Sequence, residues 1–260
     1  MRAAQYARSA YRFAASEMAL LATFAVPPIA LLALFGAITA APGTDRMGFA
    51  LLENALQALA TAWFLKPIYL GLLLGRAPAP QELWQLDAPM KAILLNTALL
   101  ICATDLPLLL TMQGFLGAAS SGAAAEPSSG LAGLGLVAVV AVPATIYLSV
   151  RFGLVQLLAV ERGQGLTFGA AWQLSRDRFW LLVRIYILCL GPAIVLFMLL
   201  DLLFGGIEAR ASMVGSAFAS VLNAVPHLAG QAICAHALVA FYRDLTAATG
   251  VAQRSAPGGP

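Results

Sequence analysis

Charged side chains are scarce in this chain, where they make up 10% of the 260 residues while hydrophobic residues make up 61%. The 15 Lys and Arg residues against 12 Asp and Glu leave a net charge of +3, which gives no reason to expect nucleic acid as a partner. Cysteine and histidine are also rare, at three and two residues, and no spacing among them fits a disulfide framework or a zinc site.

Catalytic signatures are missing as well. The sequence has no nucleophile elbow, no phosphate-binding glycine loop, no HExxH and no clustered pair of carboxylates. Gly163-Gln164-Gly165 is too short for a nucleotide fingerprint. We therefore expect a protein that is not an enzyme and that needs no cofactor and no metal.

Apolar residues instead fill six long stretches separated by short polar loops. Each stretch can cross a hydrocarbon core of about 30 Å, which takes about 20 helical residues. Backbone groups in lipid must bond to one another, and alternating segments of about ten residues are absent, so helices are favoured over a barrel. The prediction is an all-α membrane helix bundle with spans near 19–40, 49–75, 92–112, 131–158, 180–204 and 212–241.

The loops between these stretches leave no room for a separate soluble domain. We expect residues 1–246 to form one integral membrane domain and residues 247–260 to form a disordered tail. All three cysteines fall inside predicted spans, where a free thiol packs as a small hydrophobe. The longest loops cover 76–91, 113–130 and 159–179.

Lys and Arg are concentrated in alternate loops, and the side that keeps positive charge is the cytoplasm. The opposite loops carry only Arg46 and Arg210. This asymmetry predicts a multi-pass protein of the cell inner membrane with both termini in the cytoplasm. The basic residues on the cytoplasmic side are Arg2, Arg8, Arg12, Arg76, Lys91, Arg151, Arg162, Arg176, Arg178, Arg184, Arg243 and Arg254.

An alternative interpretation of the first stretch is a cleaved signal peptide, because small residues follow it at 37–41. The stretch is longer than a usual signal core, Glu17 precedes it, and Pro27 and Pro28 interrupt it. These features favour a retained span, whereas cleavage would leave five spans.

Every predicted span contains proline, which removes a backbone donor and can kink a helix. Broken helices form binding sites in many transporters, although proline can also merely shape a bundle. Lys66 lies beside Pro67 in the second stretch, and Asp105 lies two residues before Pro107 in the third. Counted from their shared loop, Lys66 and Asp105 reach similar depths, so we predict an intramembrane ion pair. The alternative is that Lys66 extends towards an interface and Asp105 lies near the external end.

The sixth span contains Asn223, Pro226 and both histidines, His227 and His236. The two histidines are nine residues apart and lie on opposite faces of a straight helix, so they cannot chelate one metal together. A proton relay through His227 and Asn223 is one hypothesis. A hydrogen bond from His227 to a neighbouring helix is the other.

The loop before the fifth span predicts a short interfacial cytoplasmic helix. One face of it carries Phe168, Ala171, Trp172, Ser175 and Phe179. This pattern predicts recognition of anionic lipid, or an anchor without lipid selectivity. The candidate headgroup contacts are Arg151, Arg176, Arg178, Arg184, Trp172 and Trp180.

A family resemblance spans nearly the whole chain. It is carried by Tyr147-Leu148-Ser149-Val150-Arg151-Phe152, then Glu161, Gly163, Ala170, Trp172, Leu174, Ser175 and Phe179-Trp180, and near the ends by Tyr11-Arg12-Phe13 and Phe241-Tyr242-Arg243-Asp244-Leu245. With these motifs the chain resembles the membrane domain of glycerophosphoryl diester phosphodiesterases and related uncharacterised bacterial six-span proteins. The resemblance implies a six-helix membrane module without phosphodiesterase activity, because the catalytic barrel domain is absent.

The first functional hypothesis is a non-enzymatic inner-membrane protein that organises lipid or assists another membrane protein. The alternative is a small-solute or ion transporter that uses Lys66, Asp105 and the kinked helices. A third hypothesis, an enzyme acting on lipid, would need convergent polar groups that the sequence does not offer. Gly71 and Gly75 form a small-residue face in the second span. We expect this face to pack inside the bundle, and the alternative is contact with a second copy of the chain.

Overall fold

The computed structural model describes residues 2–39, 46–76, 79, 81–82, 85–98, 144, 147–148, 150–163, 168–204 and 212–249. Within these ranges the chain is helical apart from short turns, and no strand occurs, so the all-α prediction is confirmed for them. The helices are α1 (Arg2–Ser16), α2 (Met18–Thr39), α3 (Arg46–Leu74), α4 (88–98), α5 (150–162), α6 (Phe168–Arg176), α7 (Phe179–Phe204) and α8 (Met213–Thr249).

Four of the described helices are long and apolar enough to cross a membrane. They coincide with the first, second, fifth and sixth spans expected from the sequence, and the membrane assignment rests on them. The third and fourth expected spans fall mostly outside the described residues, so the number six stays a prediction. The four candidate spans are Met18–Ile38, Asn54–Leu74, Phe179–Leu196 and Met213–Ala247.

The C-terminal boundary differs from the expectation. Helix α8 continues to Thr249, so the first residues of the expected tail at 247–260 are helical. Residues 250–260 lie outside the described part of the chain. Beyond the expected end of the sixth span at residue 241, Tyr242 and Leu245 are still buried against the bundle.

Helices α1 and α2 follow one another almost without a break. The amide of Glu17 donates to the carbonyl of Phe13, and the amide of Leu21 donates to the carbonyl of Glu17, each at 2.9 Å. Helical hydrogen bonding therefore continues through the junction, and Pro27 and Pro28 lie inside α2 without ending it. The two helices together extend from Arg2 to Thr39.

Helix α8 is the centre of the bundle and packs against α1, α2, α3 and α7. It runs antiparallel to α1 and α2, because Tyr6 contacts Asp244 near one end while Ser216 donates to the carbonyl of Gly36 near the other. In the candidate span of α8, 61% of the residues are buried, whereas in that of α2 only 11% are buried. Among the described helices, α2 therefore leaves most of its apolar side chains exposed.

Glycine allows close helix contact at Gly230 of α8. A Cβ atom there would lie 2.8 Å from the Cβ of Ala193 in α7, so only glycine fits without a shift. Gly71 differs, since it is exposed and nothing lies within 4 Å of the position of its missing Cβ. The expected internal packing at Gly71 does not occur within the described residues.

Charge is segregated along the bundle. Helix α2 has no charged residue, and the nearest charged residue before it is Glu17. Phe13, one turn before Glu17, stacks on His236 at 4.5 Å between ring centroids. Beyond this level lies an end rich in ionisable residues, which we term the charged end, marked by Arg2, Arg76, Arg178, Arg243 and Asp244.

Candidate functional site

A cavity of about 760 Å³ opens at the charged end beside α1 and α8. Its wall combines three arginines with apolar side chains of helices that are long enough to span the membrane. Asp244 is the carboxylate among its lining residues. The lining residues are Arg2, Gln5, Tyr6 and Ser9 of α1, Leu72 of α3, Arg178, and His236, Val239, Ala240, Arg243 and Asp244 of α8.

A hydrogen bond between Tyr6 and Asp244 connects α1 to α8 at this cavity. The Tyr6 hydroxyl donates to Oδ2 of Asp244 at 2.6 Å, and the Tyr6 ring meets that of Phe241 edge-on at 6.0 Å. Partial burial and the hydrogen bond to the Asp244 carboxylate raise the pKa of Tyr6 to about 12. The phenol is therefore neutral at physiological pH, and this bond occupies one oxygen of the Asp244 carboxylate.

Arg243 connects α8 to α3 on another side of the cavity. Its Nη2 donates a hydrogen bond to the carbonyl of Leu72, near the end of α3. An arginine has five N–H donors, so one bond leaves donors for a ligand. Next to it, His236 stacks on Phe13, and its buried Nδ1 has no hydrogen-bond partner among the described residues. The cavity thus combines a cationic rim with polar groups at its base.

A second cavity of about 470 Å³ adjoins the start of α7. It shares Arg2 and Arg178 with the first cavity, and Trp180 at its edge is 72% exposed. Tryptophan prefers the boundary between hydrocarbon and water, which suits a cavity at headgroup depth. The lining residues are Arg2, Arg151, Arg176, Asp177, Arg178, Phe179, Trp180 and Leu181.

Arg151 is the buried cation of this second cavity, with only 8% of its surface exposed. Its guanidinium carbon lies 4.4 Å from the ring centroid of Trp172, 5.2 Å from that of Phe179 and 5.3 Å from that of Tyr147. Such contacts stabilise a guanidinium that has lost water. Nη1 also donates to Oγ of Ser175 at 2.8 Å. Arg151 therefore fixes α6 against α5.

This environment modifies the predicted role of Arg151 and Trp172 as headgroup contacts. Arg151 is largely enclosed by aromatic rings, whereas Trp172 is 44% exposed on the outer side of that enclosure. The buried face of α6 consists of its small residues, Ala171 and Ser175. The predicted short helix is observed, and its contact with Arg151 is structural.

The other predicted headgroup residues separate into two groups. Arg176, Arg178 and Trp180 line the second cavity, and Arg178 also lines the first. Arg184 is exposed on α7 and lines neither of the two. Sequence reasoning missed Arg2 and Arg243 as site residues, although both contributed to the predicted orientation. Only the pairing of α1 with α8 brings them together.

Lys66 is completely buried, and it forms an ion pair with Asp87, a residue that the sequence analysis did not single out. Its Nζ lies 2.9 Å from Oδ2 of Asp87 and also donates to the carbonyls of Gln85 and Glu82. All three partners lie in or beside the 76–91 loop, so the lysine extends to the end of α3, which was the alternative to the intramembrane pair. Asp105 itself lies outside the described residues.

In the sixth span, Nε2 of His227 lies 3.4 Å from Oγ1 of Thr61 in α3, which agrees with the hypothesis of a bond between neighbouring helices. Asn223 is half-buried one turn away on α8. His227 and His236 face different neighbours, Thr61 and Phe13. Among the described residues, no group of three or more His, Cys, Asp or Glu could hold a metal ion.

Comparison with known protein families, with curated proteins and with solved structures found no match for this chain. The resemblance to the membrane domain of glycerophosphoryl diester phosphodiesterases therefore stays a prediction from the motifs.

Proposed function

We propose that this chain is a non-enzymatic, multi-span protein of the bacterial inner membrane that binds anionic phospholipid at its cytoplasmic end. Through that binding it organises lipid or assists a neighbouring membrane protein. The observation that carries the proposal is the pair of arginine-lined cavities at the charged end. Together they bring five arginines to one face, Arg2, Arg151, Arg176, Arg178 and Arg243.

The chemistry of these cavities favours an anionic ligand. Guanidinium groups bind phosphate and carboxylate through paired N–H donors. Each basic residue near the surface of an anionic membrane adds about 1 kcal/mol of attraction. The acidic residues in the cavity walls are Asp177 and Asp244, and Asp244 already accepts the hydrogen bond from Tyr6. Positive charge therefore exceeds negative charge at the site.

The position of the cavities favours lipid over a soluble anion. Leu72, Val239 and Ala240 in the larger cavity belong to helices that can span the membrane. The cavity begins at the level of Phe13 and His236, about one turn beyond the uncharged length of α2. Phosphates of a bilayer lie at this depth, just outside the hydrocarbon core.

Transport through Lys66 and Asp105 has less support. Asp87 and two loop carbonyls surround Lys66, and none of its surface is exposed. A cation held in this way fixes the 76–91 loop to α3 rather than lining an open path.

The test is mass spectrometry of the protein extracted together with its surrounding bilayer. Phospholipids that co-purify are compared with those of an unrelated multi-span protein. We expect enrichment of anionic phospholipid, lost when Arg2, Arg178 and Arg243 are all changed to Gln. The matched control changes Arg8, Arg12 and Arg162 to Gln, which removes the same charge from exposed positions outside both cavities. Equal enrichment in the two triple variants would reject the cavities as the binding site.

A further inference from the structure

The two cavities at the charged end are neighbours that share two arginines. Arg2 and Arg178 line both of them. Arg243 belongs to the larger cavity alone, and Arg151 and Arg176 belong to the smaller cavity alone. Both shared arginines also lie close enough to Tyr6 for their charges to act on its phenol. The arrangement is therefore one continuous cationic surface with two depressions.

Each depression has cations of its own to offer an anion. In the larger cavity Arg243 retains donors after bonding to Leu72, and Asp244 is already bonded to Tyr6. In the smaller cavity Arg151 is more than nine-tenths buried, and its Nε has no hydrogen-bond partner among the described residues. Arg176 in the same wall is exposed and offers paired N–H donors to a phosphate, while the buried Arg151 adds positive charge.

Apolar groups lie beside both depressions. The larger cavity has Leu72 and Val239 in its wall, and the smaller has Trp180 and Leu181. Helix α7 then presents exposed Ile187 and further apolar side chains along its length. A ligand with acyl chains attached to each phosphate can therefore place both phosphates against arginine and its chains along the helices.

We infer that the adjoining cavities form a single site for a phospholipid that carries two phosphate groups, one in each cavity, with Arg2 and Arg178 between them. This inference rests on the proposed function and names its ligand class. A second phosphate that binds within the same molecule gains from high effective concentration. The site should therefore distinguish two-phosphate from one-phosphate lipids of the same acyl composition.

Native mass spectrometry of the full chain in detergent tests this inference. The probes are a four-chain glycerophospholipid with two phosphates, a two-chain anionic glycerophospholipid with one phosphate, and a zwitterionic lipid. We expect one two-phosphate lipid per chain, bound at least about tenfold more tightly than the one-phosphate lipid. Inorganic pyrophosphate serves as the soluble probe, and we expect it not to displace the bound lipid.

Variants assign each phosphate to its cavity. Arg243→Gln affects only the larger cavity, and Arg176→Gln affects only the smaller one. Each should lower the affinity for the two-phosphate lipid about tenfold and reduce the preference for it over the one-phosphate lipid. Arg178→Gln should lower the affinity for both lipids. If the Gln variant does not fold, Arg178→Lys, which keeps the charge but loses the paired donors, takes its place in this comparison. Arg184→Gln on α7, an exposed position that lines neither cavity, is the control and should leave both affinities unchanged.

The remaining outcomes separate the inference from the proposed function. If one-phosphate and two-phosphate lipids bind equally tightly and more tightly than the zwitterionic lipid, the inference fails while the proposed function stands. If neither anionic lipid binds better than the zwitterionic one, both fail. Displacement of the lipid by pyrophosphate would overturn the lipid assignment in favour of a soluble diphosphate.

Discussion

Asp87 neutralises Lys66 and also begins helix α4. Its Oδ2 lies 2.9 Å from Nζ of Lys66, while its Oδ1 accepts a hydrogen bond from the amide of Met90 at 3.0 Å. The second contact is that of an N-cap residue, which satisfies one of the free amides at a helix start. A single carboxylate therefore joins α3, the 76–91 loop and α4.

Replacing Asp87 by Asn separates these two roles. Asn is an equally good N-cap, so the cap persists while the buried Lys66 loses its counter-charge. We expect a loss of about 2–3 kcal/mol, less than for a fully buried pair, because the Asp87 side chain is 36% exposed. Thermal unfolding in detergent measures the loss. The control is Glu82→Gln, which removes the exposed ion pair with Arg76 and should change stability little. Equal melting temperatures for the Asp87 variant and the parent would contradict the prediction.

Arg151→Lys should destabilise the contact between α5 and α6. Lysine keeps the charge but loses the planar group that stacks on Trp172 and Phe179, so we expect a cost of about 1–2 kcal/mol. Unfolding followed by tryptophan fluorescence measures it. Arg176→Lys, an exposed position on α6, provides the comparison. A shift no larger than that of the Arg176 variant would show that stacking around Arg151 contributes nothing measurable.

Gly230→Ala should separate α7 from α8. The new methyl group would lie 2.8 Å from the Cβ of Ala193, and overpacking of this kind costs about 1–3 kcal/mol. The second change Ala193→Gly should restore most of the lost stability. Gly191→Ala on α7 is the control, because nothing lies within 4 Å of its added Cβ. Failure of Ala193→Gly to rescue would mean that these two residues do not set the helix separation.

The Tyr6 contact with Asp244 predicts a pH dependence at the alkaline end. Because the pKa of Tyr6 is raised from 10.0 to about 12, its stabilisation is fully present below pH 10 and is lost as the pH rises towards 12. Tyr6→Phe should therefore melt below the parent at pH 8, and the two should converge near pH 12. Ser9→Ala, in the same cavity wall, is the control for a general loss of stability at alkaline pH. A constant gap between parent and Tyr6→Phe from pH 8 to 12 would contradict this origin.

Much of the helical framework could be predicted from apolar length alone. The stretch at 19–40 became α2, the stretch at 180–204 became α7, and the pattern around Trp172 indicated α6. These features are predictable because a helix in lipid must satisfy its own backbone and must be about 20 residues long.

The ion pair between Lys66 and Asp87 could not be found by counting helix rise. Depth along α3 placed Lys66 beside Asp105, but a lysine side chain is long and flexible and extends towards polar groups. The local sequence did contain a signal, since Asp87 stands two residues before Pro89, a pattern typical of a helix start. A helix that starts after residue 87, in the loop that follows α3, would have indicated Asp87 as a carboxylate within reach of the Lys66 side chain.

The cavities were beyond sequence reasoning for a different reason. Arg2 and Arg243 lie at opposite ends of the chain, and only the antiparallel packing of α1 on α8 brings them to one cavity. Arg151 was expected at the surface because arginine near a membrane usually contacts lipid. Its burial depends on three aromatic rings from two separate segments, which no spacing within one helix predicts.

The pairing of Lys66 with Asp87 also constrains how the chain enters the bilayer during synthesis. Lys66 leaves the ribosome before the residue that neutralises it, so α3 alone would carry an unpaired ammonium into the membrane. Once the 76–91 loop and the start of α4 have followed, the charge is enclosed. The shortest segment that carries its own counter-charge into the bilayer is therefore the one from α3 through Asp87 in the following loop.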